Sequence, residues 1–229
     1  MTLEALLNDF AIRSFRDQGD EDYISARLAC RAALPGVFLW AGQQTIEKYL
    51  KCILLLNRIP ATRIYHDLTA ALTAINGSGK LSVSLTPATQ EFIEYIDTYG
   101  RFRYLEVPNV AFGKNIISLD RAAWELRRYC TLSLAQRQIA LTDGQPAPKV
   151  RLVGGLLENI IDDKTNPARE PLLWQNAFFG ARSRRRITIH TWVKIKNSPL
   201  YLHPEILDEV LKYVLLPKDV VSACRVHKP

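Results

Sequence analysis

The stretch Trp40-Ala-Gly-Gln-Gln-Thr-Ile-Glu-Lys-Tyr-Leu-Lys-Cys-Ile-Leu-Leu-Leu56 constrains the fold more than any other part of the chain. Its apolar residues recur at helical rather than strand spacing, and they cover much of the circumference of a helix expected from about Val37 to Asn57. A helix apolar on so many sides belongs at the centre of a bundle. Beside the apolar surface runs a row of Gln43, Glu47 and Lys51 at i, i+4 and i+8, flanked by Gln44 and Lys48. That is more polar chemistry than a central helix usually carries.

The chain has 229 residues, 48% of them hydrophobic, enough for a packed core. The longest uninterrupted apolar run in the long helix, Cys52 to Leu56, falls far short of the roughly 20 residues a membrane span needs. No signal peptide or anchor is expected, because Met1 to Phe15 already carries Glu4, Asp9 and Arg13. The four cysteines, Cys30, Cys52, Cys130 and Cys224, are widely spaced, which reads as reduced core thiols in a cytoplasmic protein. Net charge is +7, unevenly spread. Lys and Arg number 17 against 15 Asp and Glu in residues 1–149, 3 against 4 in 150–180, and 10 against 4 in 181–229. The surplus in the last segment suits phosphate backbones or an acidic partner, or simply a solvated surface.

Helices are expected almost everywhere up to Leu141. Leu3 to Phe15 is amphipathic. Asp20 reads as the N-cap of a second helix that Pro35-Gly36 stops. After the long helix, Asp67 opens a shorter one ending near Asn76-Gly77. Thr86-Pro87 reads as N-cap and first residue of a helix to Tyr99, with Gly100 as its left-handed terminus. Ser118 or Asp120 opens the last long helix. The turn-rich Thr142 to Pro148 is the best domain boundary, dividing a bundle over 1–141 from a basic module over 150–229. In that module Val150 to Asp162 reads as a short helix. Ile187 to Ile195 alternates as a strand, whose partner is itself across a dimer, residues near Leu173, or another protein. A helix from Glu205 to Leu215 and a last one from Pro217 complete the tail.

Gln-Gln-x-x-Glu-Lys-x-Leu-Lys over residues 43–51, followed by His66-Asp67-Leu68, resembles the signature of HEPN domains across about residues 20–135. The resemblance implies a mainly α fold, an up-and-down HEPN-like bundle, here with a small mixed C-terminal extension. It also implies a homodimer and RNA as ligand, in a defence or toxin–antitoxin setting. The alternative it leaves open is a non-catalytic module that binds a nucleotide, or a protein partner such as a nucleotidyltransferase. Dimerisation through the bundle is also expected from Phe38, Trp40 and the apolar helix around them, with Trp124 and Tyr129 as further interface candidates.

Each candidate residue has a structural and a functional reading. Glu47 and Lys51 form a favourable helical ion pair, or with Gln44 and Lys48 they line a groove that holds phosphate and base edges. His66 stands just outside a helix that Asp67 caps, or it moves a proton near neutral pH with Asp67 or a cation adjusting it, and Arg58 and Arg63 bind phosphate. Catalytic HEPN ribonucleases carry Arg, four to six residues, then His. Here Arg58 precedes His66 by seven intervening residues and Arg63 by two, while Arg103-Tyr104, which looks like the family's Arg-Tyr segment, has no following histidine. A formal match of Arg184 or Arg185 with His190 falls on the expected strand. Any ribonuclease activity is expected to be metal-independent and to run through His66, with Arg63 or Arg103 stabilising the phosphorane. Arg101, Arg103 and Tyr104 alternate cation and aromatic, which suits single-stranded RNA, or they pair with Glu94, Asp97 and Glu106. Arg184, Arg185 and Arg186 are the densest phosphate-binding candidate. No metal or cofactor motif is present: the chain has no His-x-x-x-His, no Cys-x-x-Cys and no phosphate-binding loop.

Overall fold

The structure is a computed structural model that describes residues 3–60, 62, 64–100, 109–131, 155–180, 193–196, 199–216 and 218–226. It is mainly helical. Helix α1 (Leu3–Ala11) passes through a π-helical segment, Ile12–Asp17, straight into α2 (Gln18–Arg31). Leu3 to Arg31 is thus one continuous rod, and the expected start at Asp20 is corrected. Asp20 lies fully buried inside the helix, where its carboxylate is satisfied by Tyr49 and Arg127 instead of by its own first turn.

Two helices end the same way. In α2 the amide of Ala33 donates to Cys30 O at 3.0 Å and that of Leu34 to Ala29 O at 2.8 Å, with Ala33 left-handed at φ 53°. Pro35 is then the first residue of α3 (Pro35–Leu56), a position where its missing N–H is no loss, so Pro35-Gly36 starts a helix rather than stopping one. At the far end of α3, Arg58 N donates to Leu55 O and Ile59 N to Leu54 O, with Arg58 at φ 53°. Both are Schellman turns built without glycine.

Helix α3 is the central element, with Phe38, Leu39, Ile46, Tyr49, Leu50, Ile53 and Leu54 buried. Phe38 is completely covered and Trp40 is half-buried against the core. Helix α4 (Leu68–Gly77) has the expected cap, the Asp67 carboxylate accepting from Ala70 N at 2.7 Å. Helix α5 (Pro87–Tyr99) starts where Thr86-Pro87 places it, although the Thr86 hydroxyl and amide both donate to Glu125 at 2.9 Å. Gly100 is not left-handed: its φ is −72°. Glycine is required there by proximity, since a Cβ would stand 2.5 Å from Gln43 Cβ, 2.6 Å from Ile96 O and 2.9 Å from Leu39 O.

Strand β1 (Asn109–Phe112) precedes α6 (Asn115–Arg127), which begins earlier than Ser118 or Asp120. Helices α2 and α6 carry the same spacing, Asp20 with Arg27 and Asp120 with Arg127, which places each Asp and Arg on one face two turns apart. The helices pair these residues crosswise. Asp20 accepts from Arg127 Nε at 2.7 Å and Nη2 at 2.8 Å, and Arg27 Nη1 donates to Asp120. Tyr49 and Tyr23 donate to the two carboxylates at 2.7 and 2.5 Å. Burial pushes both aspartates up, against the opposing pull of their arginines. Such pairs add little net stability over an apolar contact, but shifting or flipping one helix would strand two buried charges, so they fix the register.

Helices α7 (Leu156–Asp162) and α8 (Arg169–Leu173) pack on this bundle, with Leu157, Ile160, Leu172 and Phe179 in the same core as α2, α3 and α6. Arg127 also donates to Glu158 at 2.5 and 2.7 Å, and Arg27 Nε to Pro171 O at 3.1 Å. Residues 155–180 therefore share the bundle's core, while the expected boundary at 142–148 lies outside the described residues. Strand β2 (Val193–Lys196) pairs antiparallel with β1, Val110 opposite Ile195. This partner, β1, is not among those expected for the strand. Residues 187–192 of the expected strand lie outside the described residues. Helix α9 (Pro199–Leu202), a 3-10 turn at Pro204–Ile206, α10 (Leu207–Val210) and α11 (Lys218–Val226) gather round a second small core of Leu200, Leu207 and Cys224. The expected helix Glu205–Leu215 is reduced to the short turns ending at Val210. All four cysteines are buried thiols, and among the described residues no helix is long and apolar enough to cross a membrane.

Candidate functional site

The Schellman turn at Arg58 reverses the chain after α3, and the α4 cap at Asp67 anchors its return. The Leu68 amide adds a 3.3 Å bond to Asp97 Oδ1 on α5. Between these anchors His66 is laid against the polar row of α3, and its carbonyl accepts from Gln43 Nε2 at 3.4 Å. The Nδ1 atom of His66 lies 3.0 Å from each carboxylate oxygen of Glu47.

Glu47 is the hub. Its carboxylate also receives Lys51 Nζ at 2.6 Å, Gln43 Nε2 at 3.2 Å and Gln44 Nε2 at 3.3 Å, while Gln44 Nε2 reaches Gln43 Oε1 at 2.6 Å. Burial alone would raise the Glu47 carboxyl, but hydrogen bonds from Lys51 and His66, reinforced by their charge, outweigh it and hold the group below the ordinary glutamate range. The Glu47 side chain is only 8% exposed, that of Lys51 30% and that of His66 68%. A shielded anion thus supports an imidazole that stands in solvent. Among the described residues Nε2 of His66 has no hydrogen-bond partner, so it is the atom open to an incoming ligand. The chemistry available is proton transfer at Nε2, with a cation alongside.

The carboxylate that meets His66 is not the expected Asp67. Asp67 is engaged by Ala70 N, and Glu47, 19 residues back, holds the ring. Lys48 forms an ion pair with Asp22 of α2. Arg58 donates to Leu55 O at 2.6 Å, Glu4 O at 3.2 Å and Asn8 Oδ1 at 2.7 Å, tying the end of α3 to α1. Of the expected ligand-binding residues, Gln44 and Lys51 therefore join His66, while Lys48 and Arg58 have structural partners. Arg63, Arg101, Arg103, Tyr104, Arg184, Arg185 and Arg186 lie outside the described residues, as does His190. Among the described residues no three His, Cys, Asp or Glu side chains gather as a metal-ligand set. Comparison with protein-family models, with curated proteins and with solved structures gives no match in any of the three.

Proposed function

We propose that the chain is a HEPN-like RNA-binding protein that cleaves RNA without a metal ion, as a homodimer in a defence or toxin–antitoxin setting. The observation that supports this reading is the Glu47–His66 contact: an exposed imidazole backed by an anion, with Lys51 beside it. The reaction is transesterification. His66 takes the proton of a ribose 2′-hydroxyl, the 2′ oxygen forms a bond to the neighbouring phosphorus, and the bond from phosphorus to the 5′ oxygen breaks. Water protonates the departing oxygen and is restored by the proton that His66 took up, leaving a 2′,3′-cyclic phosphate and a 5′-hydroxyl. Arg63 or Arg103 stabilises the charge that develops on the phosphorane. Arg101, Tyr104 and Arg184 to Arg186 hold the strand by phosphate contact and stacking.

The test compares RNA cleavage by the unmodified protein, His66→Ala and His190→Ala in excess chelator. The expected result is loss with His66→Ala alone. Loss only with His190→Ala would move the chemistry to the basic module, and absence of cleavage by the unmodified protein, with or without a partner removed, would leave a binding module in its place.

A further inference from the structure

We infer that Glu47 is the positioning residue of this site, fixing the neutral His66 ring in the Nδ1–H tautomer so that the reactive lone pair sits on Nε2. The inference rests on the proposed role of His66 for its catalytic meaning, but its structural basis is separate. An ionised carboxylate only accepts hydrogen bonds. Nδ1 of His66 lies 3.0 Å from both oxygens of that carboxylate. The opposite tautomer would set a nitrogen lone pair against two oxygen lone pairs at that distance.

Among the described residues around the ring, the other donors are directed away from Nδ1. Lys51 directs its ammonium to Glu47 Oε1, and the Gln43 and Gln44 amides donate to Oε2. Asp67, next in sequence, accepts from Ala70 N, and Asp97 of α5 accepts from Leu68 N. The three other donors on Glu47 also keep its carboxylate ionised and still, which makes it a fixed reference for the imidazole. A positioning carboxylate of this kind acts through its histidine and never touches the substrate. The row of polar residues on α3 thereby acquires a common purpose: Gln43, Gln44 and Lys51 hold Glu47, and Glu47 holds His66.

The test is nitrogen-15 NMR of the full chain labelled at histidine, above the pH at which the imidazoles are protonated, with the His66 signals assigned by their disappearance in His66→Ala. The expected spectrum has Nδ1 in the protonated range and Nε2 in the bare range. In Glu47→Gln, whose amide can donate as well as accept, both signals should move toward the mixture of a free imidazole. A protonated Nε2 in the unmodified protein, or signals unmoved by Glu47→Gln, would overturn the inference. Thermal unfolding of Glu47→Gln checks that the bundle is retained, and the unmodified spectrum decides the tautomer even if it is not. In the cleavage assay Glu47→Gln should lower kcat on the order of 10²-fold with KM unchanged, the scale of a general base set wrongly. A rise in KM with kcat unchanged would make Glu47 a binding residue instead. The two claims separate cleanly. The expected tautomer with full cleavage by His66→Ala would refute the catalytic role given to His66 and keep the tautomer that Glu47 fixes, whereas the opposite pair of results would do the reverse.

Discussion

Replacing Gly100 and Gly77 by alanine should change stability in opposite directions. Both positions have helical or near-helical backbone, so alanine is favoured at each by roughly 0.5–1 kcal/mol through the smaller entropy it loses on folding. At Gly77, the last residue of α4, a Cβ meets nothing within 4 Å, and that gain should appear undiminished. At Gly100 a Cβ meets Gln43 Cβ at 2.5 Å and two carbonyl oxygens, Ile96 O and Leu39 O, at 2.6 and 2.9 Å. None of these is the movable end of a side chain. Restoring an ordinary carbon contact of about 3.5 Å to Gln43 requires α3 and the end of α5 to separate by about 1 Å, and the contact with Ile96 O, inside α5 itself, requires its last turn to open. Overpacking of that kind costs about 1–3 kcal/mol or more, so the propensity gain is outweighed and Gly100→Ala should lose about 2 kcal/mol. Urea unfolding at neutral pH measures both variants. The displacement also moves Gln43, one of the donors on Glu47, so Gly100→Ala should weaken the site as well as the fold. Equal or higher stability for Gly100→Ala would refute the close approach of α3 and α5.

Glu47 is held below the ordinary glutamate range in the folded chain, so its ionised contacts contribute stability above its unfolded pKa of about 4.3, and that stability disappears as pH falls through the folded value. Urea unfolding should therefore show a shallower acid decline in that window for Glu47→Gln than for the unmodified protein; identical slopes would contradict the contact. Arg127→Met leaves the buried Asp20 with Tyr49 as its remaining donor and should cost about 3–5 kcal/mol, part of which Asp20→Asn should restore. Strict additivity of those two substitutions in the same assay would count against the pair. Replacing Arg184, Arg185 and Arg186 with alanine should reduce the slope of log affinity for RNA against log salt by about one unit for each phosphate that is no longer neutralised. An unchanged slope would assign the cluster to solubility or to protein binding.

The parts of this fold that are legible in the sequence are those set by local chemistry. The central helix, the Asp67 cap, the Thr86-Pro87 helix start and the Glu47–Lys51 pair all follow from residues within a turn or two of one another. What escapes a sequence reading depends on distant partners. Asp20 and Asp120 look like helix-starting residues, yet each is buried opposite an arginine about a hundred positions away. The repeated spacing from Asp to Arg on α2 and α6 is the available signal, and it acquires meaning only once those helices are antiparallel neighbours. Ala33 and Arg58 close helices in a conformation that sequence assigns to glycine, because the hydrogen bonds of the turn over-determine it. Strand β1 is four residues long and carries no alternation long enough to read. The site is half visible: the polar row and His66 are separately apparent, but their meeting at Glu47 depends on how the loop after α3 folds back.

The chemical ends left on cleaved RNA test the central claim most directly. A short defined RNA is incubated with the unmodified protein in excess chelator, and the fragments are weighed by mass spectrometry. Proton removal from the 2′-hydroxyl by His66 predicts a 2′,3′-cyclic phosphate on one fragment and a 5′-hydroxyl on the other, with no cleavage where the preceding sugar is 2′-deoxy. Fragments ending in a 3′-hydroxyl and a 5′-phosphate, or equal cutting at the deoxy position, would show that water attacks the phosphorus and would contradict the role given to His66.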